Sequence, residues 1–218
     1  MNLLLRYYNL TRLQLFIGVV LANLILIWLS KTVLINEIVS YSCFQLSYDR
    51  SLKLFENMNR IAWISYVFTP VMLLIKFALV SLLLYTGIVF YSIQDKVSLG
   101  SVFKVVIASE IVFVFAAFLK FLWFYLFAGN YDLNDMSFFY PLSLINFFKT
   151  VEVEKVWIFP LQTINLFHLF YIISISYGLH KVCEIKKADS EKIVLLSYLP
   201  DLIIWIALIM FITIDASI

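Results

Sequence analysis

Five ionisable residues lie inside long apolar stretches of this chain: Lys76, Glu110, Lys120, His168 and Asp201. A charge at membrane depth is costly unless it is paired, wet or able to reach an interface, so these positions hold whatever chemistry the chain has. Two chemistries suit them. In the first, Glu110 and Asp201 bond backbone or hydroxyl groups, while Lys76 and Lys120 snorkel outward or meet acids such as Asp132 and Asp135; the charges then fix helix register. In the second, they line a polar cavity that binds an anionic ligand or headgroup from outside, or relays protons or ions through the inner acids. His168 reads as a buried hydrogen-bonding histidine, with Asn165 one turn earlier as its partner.

Signatures of enzymatic chemistry are missing. There is no G-x-S-x-G, no H-E-x-x-H and no phosphate-cradling glycine loop, and the chain has five glycines in all. Glu152 and Glu154 are flanked by Lys149 and Lys155 and read as a solvated stretch. The two histidines, His168 and His180, have no ligand at zinc spacing. No catalytic residue, metal or cofactor is therefore expected. Sixteen basic against fourteen acidic residues, a net charge of +2, leave no basic excess for nucleic acid.

The elements that must hold the five residues are membrane helices. The 218 residues are 63% hydrophobic and 14% charged, with a mean hydropathy of +0.97, whereas a soluble domain is about half apolar and about a quarter charged. Long unbroken apolar runs argue against a barrel of alternating strands, and lipid offers a helix no outside partner for its amides. The fold class expected is an all-α, polytopic helical bundle forming a single domain, with the lipid bilayer as its first partner. At about 20 apolar residues per span, five runs qualify: Leu13–Ile35, Pro70–Tyr91, Lys104–Phe127, Leu161–Leu179 and Ile193–Ile214. The first is too long for a signal peptide and reads as an uncleaved span.

Thr69-Pro70 resembles a helix start, which leaves residues 50–68 as an amphipathic interfacial helix. One long helix kinked at Pro70 is the alternative. In the largest connection, Gly129–Pro160, the apolar stretch 140–149 reads either as a second interfacial helix or as a re-entrant lid over a polar cavity. Pro200 should free the carbonyl of Leu196 and bend the last span, unless Ser197 or water satisfies the backbone.

Lysine and arginine favour a cytoplasmic N-terminus and an outer C-terminus, with the basic turn Lys181–Lys192 weighing most. Cys43 and Cys183 then lie on opposite sides and cannot pair within a chain. Measured from the span ends at 1.5 Å per residue, Lys76, Lys120 and His168 fall about 10 Å below the outer surface, and Glu110 and Asp201 about 10 Å above the inner one. That predicts a basic outer and an acidic inner layer, with Glu110 and Asp201 at similar depth. Glu110, Ala117 and Lys120 share a face that should point into the bundle, and Ser174 with Gly178 forms a small-xxx-small packing pair.

Tyr177-Gly178-Leu179-His180 before a short basic turn and a final span, together with Leu84-Tyr85-Thr86-Gly87 and Ser101-Val102-Phe103-Lys104, resembles the Yip1-type small polytopic membrane proteins over about half the chain. The chain departs from them in its short N-terminal region, low glycine content and large outer loop. The resemblance implies a non-enzymatic protein acting through helix contacts with partners. Composition rich in Lys, Asn, Ile and Phe favours a bacterial inner membrane. The leading expectation is an accessory or scaffold subunit packing against itself or a membrane transport or secretion complex; the alternative is a small transporter or channel using Glu110 and Asp201.

Overall fold

A computed structural model describes residues 7–8, 10–35, 60–91, 97–129, 131–149 and 153–215. The described chain is helical, with one isolated bridge between Ser143 and Asn165 in place of any strand. Four helical segments are long and apolar enough to cross a membrane: Arg12–Leu34, Trp63–Phe90, Leu99–Leu126 and Lys187–Asp215. This is the make-up of an integral membrane protein.

Helix α1 (Arg12–Leu29) starts at a reciprocal cap, in which Thr11 Oγ1 accepts from the Gln14 amide and Gln14 Oε1 accepts from the Thr11 amide. It runs on into a π turn, Ser30–Leu34. There Lys31 donates to the Ala62 carbonyl at 3.1 Å and so ties the end of this span to the start of the next.

Helix α2 (Trp63–Phe90) passes through Pro70 without stopping. The expected start at Thr69-Pro70 is corrected, and the interfacial helix 50–68 is corrected over its described part, residues 60–68; the rest of that segment lies outside the described residues, as does Cys43. The reason is local. Thr69 donates its hydroxyl back to the Ser65 carbonyl at 2.6 Å instead of capping a new helix, and Pro70, which deprives only the Tyr66 carbonyl of its usual amide, is tolerated inside a membrane helix.

The third span starts at Leu99 rather than Lys104, where Ser98 accepts from the Ser101 amide. It is broken at Glu110 into α3 (Leu99–Ser109) and α4 (Ile111–Leu126). Around the break the chain tightens, with Glu110 N–H bonding to Ile107 O and Phe113 N–H to Glu110 O.

Beyond α4, the connection folds as a cap. Helix α5 (Leu133–Phe138) is capped by Asp132 and Asp135, and only a 3-10 turn, Leu144–Phe147, stands where a helix over 140–149 was expected. Helix α6 (Lys155–Thr163) and helix α7 (Leu166–Val182) are separated at Ile164-Asn165, so the span expected over 161–179 is two elements. Asn165 caps α7 by accepting from the His168 amide at 2.9 Å. The same joint pairs with the cap through Leu144 N–H to Ile164 O and Leu166 N–H to Leu142 O. Helix α8 (Lys187–Asp215) begins six residues before the expected Ile193, because its polar first turns continue the apolar helix.

The third span is the hub. Half of its apolar window is inside the molecule, against about a sixth for the other three. Val102, Val105, Val106 and Ile107 are fully enclosed among Phe77, Leu84 and Ile88 of α2, Tyr171, Ile175 and Leu179 of α7, and Ile193 and Val194 of α8. Lipid tails are as apolar as these side chains, so close packing rather than water exclusion must hold the spans together. Glycines serve that packing at two contacts. A Cβ on Gly178 would lie 2.5 Å from Val105 Cγ1, and one on Gly87 would overlap Ser197 Oγ of α8.

Candidate functional site

The break at Glu110 turns its carboxylate toward α2, where Lys76 Nζ lies 2.6 Å from Glu110 Oε1. Glu110 is almost fully enclosed, at 5% exposure, while Lys76 keeps 40%. The ammonium also lies 4.4 Å from the centre of the Phe113 ring and 5.8 Å from that of Tyr171. A carboxylate and two aromatic faces thus surround one cation, which is the arrangement a desolvated ammonium needs. Two polar atoms beside it lack hydrogen-bond partners among the described residues: Glu110 Oε2 and the Tyr171 hydroxyl, both buried.

This pairing corrects the expected layering. Depth counted from Pro70 and Lys104 puts Lys76 and Glu110 in opposite layers. Counted from the true helix starts, Trp63 and Leu99, they lie about 20 Å and about 17 Å in at 1.5 Å per residue, which brings both near mid-membrane. Nor do Asp132 and Asp135 receive the lysines, since each accepts from the other's backbone amide in the cap of α5.

The remaining candidates are spread around this centre. His168 packs edge-on to Phe113 at 5.0 Å between ring centres, and its Nδ1 lies 3.0 Å from Asn165 Nδ2. Ser174 donates to Ser109 Oγ at 3.1 Å, next to the break, while Tyr8 donates to the Ser174 carbonyl and Tyr7 to the Ala108 carbonyl. Ala117 is half-buried, whereas its neighbour Ala116 is fully enclosed. Lys120 is partly buried and makes no ion pair among the described residues. Asp201 likewise meets no hydrogen-bond or ion-pair partner among the described residues. The structure therefore joins Glu110 to Lys76, and no bond joins it to Asp201.

Reading the sequence alone missed Phe113, Tyr171 and Tyr198. Tyr171 is fully enclosed and packs 4.7 Å from Phe113 and 5.5 Å from Tyr198. The available signal was spacing: Phe113 stands one turn after Glu110, and Tyr171 three residues after His168.

Burial, with a smaller push from the charge of Glu110, raises the Tyr140 hydroxyl to about 12. Beside it, between the cap, the end of α4 and the start of α7, lies a cavity of about 1400 Å³. It is walled mainly by aliphatic and aromatic side chains, with Asp135 and Lys149 also in its lining, so the polar cavity of the re-entrant reading is corrected to a mainly apolar one. No group of acids, histidines and cysteines with metal-binding geometry exists among the described residues. No known protein family, curated protein or solved structure matches the chain.

Proposed function

We propose that the chain is a non-enzymatic accessory or scaffold subunit of a bacterial inner membrane, acting through helix contacts with itself or with a membrane transport or secretion complex. It crosses five times, with the N-terminus inside and the C-terminus outside. The observation that carries this reading is the Lys76–Glu110 pair, whose charges meet each other between α2 and the break in the third span. Support for the fifth span comes from α7, which runs antiparallel along the third: Gly178 meets Val105, Ser174 meets Ser109, and Phe167 packs against Phe115. The resemblance to the Yip1-type proteins favours the same non-enzymatic role. In this reading the protein co-purifies with a stable membrane partner or with itself, and the double replacement Lys76→Met/Glu110→Leu leaves that association and cellular function in place, since it removes both charges together.

A second reading, a small transporter or channel, draws on the unpartnered Glu110 Oε2 and on Asp201. It requires the double replacement, and Asp201→Asn separately, to abolish function while expression and folding stay normal. That result would replace the scaffold reading.

A further inference from the structure

We propose that the cavity under the cap is a binding site for one zwitterionic phospholipid, with its acyl region between α4 and α7 and its headgroup held at the cap. The inference needs only that these helices span a bilayer, and it is independent of which partner the protein serves.

The cavity's size suits a large, elongated occupant. The cavity holds about 1400 Å³, above the roughly 300–1,000 Å³ of pockets that enclose small metabolites. Its polarity is graded along the spans. Leu119, at its deep end, lies seven residues before the end of α4, about 10 Å into the apolar zone at 1.5 Å per residue, and Leu122 and Leu169 continue the apolar wall from α4 and α7. At the other end the lining turns polar and carries both signs of charge, Asp135 of α5 and Lys149 beyond the 3-10 turn. A hydrocarbon tail at depth, beneath a cationic and an anionic group at the surface, is the complement of that gradient. A phospholipid bearing both a phosphate and an amine supplies each: the phosphate toward Lys149 and the ammonium toward Asp135. An anionic lipid without an amine, or a fatty acid, would set a like charge beside Asp135, whose Oδ2 already accepts from the Asp132 amide.

The cap is built to stay over the cavity. It is fastened to the α6–α7 joint by two backbone hydrogen bonds, and Gln162 donates to the Ser137 and Phe138 carbonyls, each at 2.7 Å. Leu142, which lines the cavity, holds a left-handed backbone at φ 54° and a largely exposed side chain. Phe147, also in the lining, is 85% exposed. A left-handed leucine is sterically unfavourable and persists only where its surroundings over-determine it; a lipid tail gives both side chains an apolar neighbour.

The test is native mass spectrometry of the full chain released from detergent, after delipidation and incubation with equal phosphatidylethanolamine and phosphatidylglycerol. The expected result is a single bound phosphatidylethanolamine retained at least tenfold over phosphatidylglycerol. That adduct should fall at least tenfold in Leu122→Trp, which fills the apolar wall, and the preference should invert or vanish in Lys149→Glu. Lys149 is exposed, so its variant reports on lipid even if Leu122→Trp fails to fold. Equal retention of both lipids, several adducts at once, or adducts indifferent to Lys149→Glu would mean ordinary annular lipid and overturn the proposal. Capture of a protein segment in place of lipid would overturn it as well.

Discussion

At the level of single residues, the Lys76–Glu110 pair decides how the charges behave. Removing one member of a buried pair leaves an uncompensated charge and costs about 3–5 kcal/mol, whereas replacing both by apolar residues of similar size is often neutral. Lys76 keeps 40% exposure, so Glu110→Leu or Lys76→Met alone should lower unfolding stability in mild detergent by less than that amount, and the double replacement should recover most of it. Glu110→Gln belongs with the single replacements, because an amide keeps a hydrogen bond to Lys76 but not its charge. Equal losses in single and double variants would remove the pair from the stability account. The charges themselves were legible in the sequence, as costly residues in apolar runs; their pairing was not, because it depends on where two helices begin. A second residue-level expectation concerns Cys183, which follows α7 and is buried, with burial raising its thiol to about 11. The thiolate is the reactive form, so alkylation of the folded protein at neutral pH should be slow and should rise as the pH approaches that value. Fast alkylation at pH 7 by a small maleimide, in protein shown to be folded, would contradict that burial.

At the level of elements, spans were legible and their ends were not. Apolar runs marked where lipid is crossed, but a helix continues past its apolar part whenever its backbone bonds continue. Residues 63–69 precede Pro70 in one helix because Thr69 bonds backward, and Lys187–Lys192 begin α8 although they are polar. The joint at Asn165 was half legible: Asn165 was recognised as a partner of His168, yet its main use is to cap α7 and anchor the cap. Close contacts between elements give the sharpest prediction at this scale. A side chain at Gly178 runs into Val105, and one at Gly87 into Ser197, while nothing lies within 4 Å of a Cβ on Gly18. Overpacking of this kind costs about 1–3 kcal/mol, so Gly178→Leu and Gly87→Leu should each lower the melting temperature in detergent. Gly18→Leu, placed on an exposed face of α1, should not. Three equal melting temperatures would mean that α7 and α2 do not pack on their neighbours at these glycines.

At the level of the whole molecule, the proposed five crossings turn on α7. It has 17 residues, about 25 Å at 1.5 Å per residue, which is just short of the hydrocarbon thickness of about 30 Å. Length alone leaves its status open, and register supports the proposed crossing. Along α7 from Gly178 through Ser174 and Tyr171 to Phe167, the neighbours on the third span are Val105, Ser109, Phe113 and Phe115 in turn. A helix that follows a spanning helix antiparallel through its buried middle traverses the same layer in the opposite direction. Asn165 and the α6–α7 joint then lie on the side where α4 ends, and Cys183 on the side where α3 begins. The basic turn Lys181–Lys192 thus falls on the face shared with Lys104, which the proposed orientation puts in the cytoplasm. Reporter fusions after Asp95, Asp135, Glu184 and Ile218 should accordingly read in, out, in and out. If the fusion after Ile218 reads in while the one after Glu184 also reads in, α8 returns without crossing and the odd number of spans is wrong. If Asp135 and Glu184 read on one side, α7 does not cross, and its alignment with the third span would have to arise outside the bilayer.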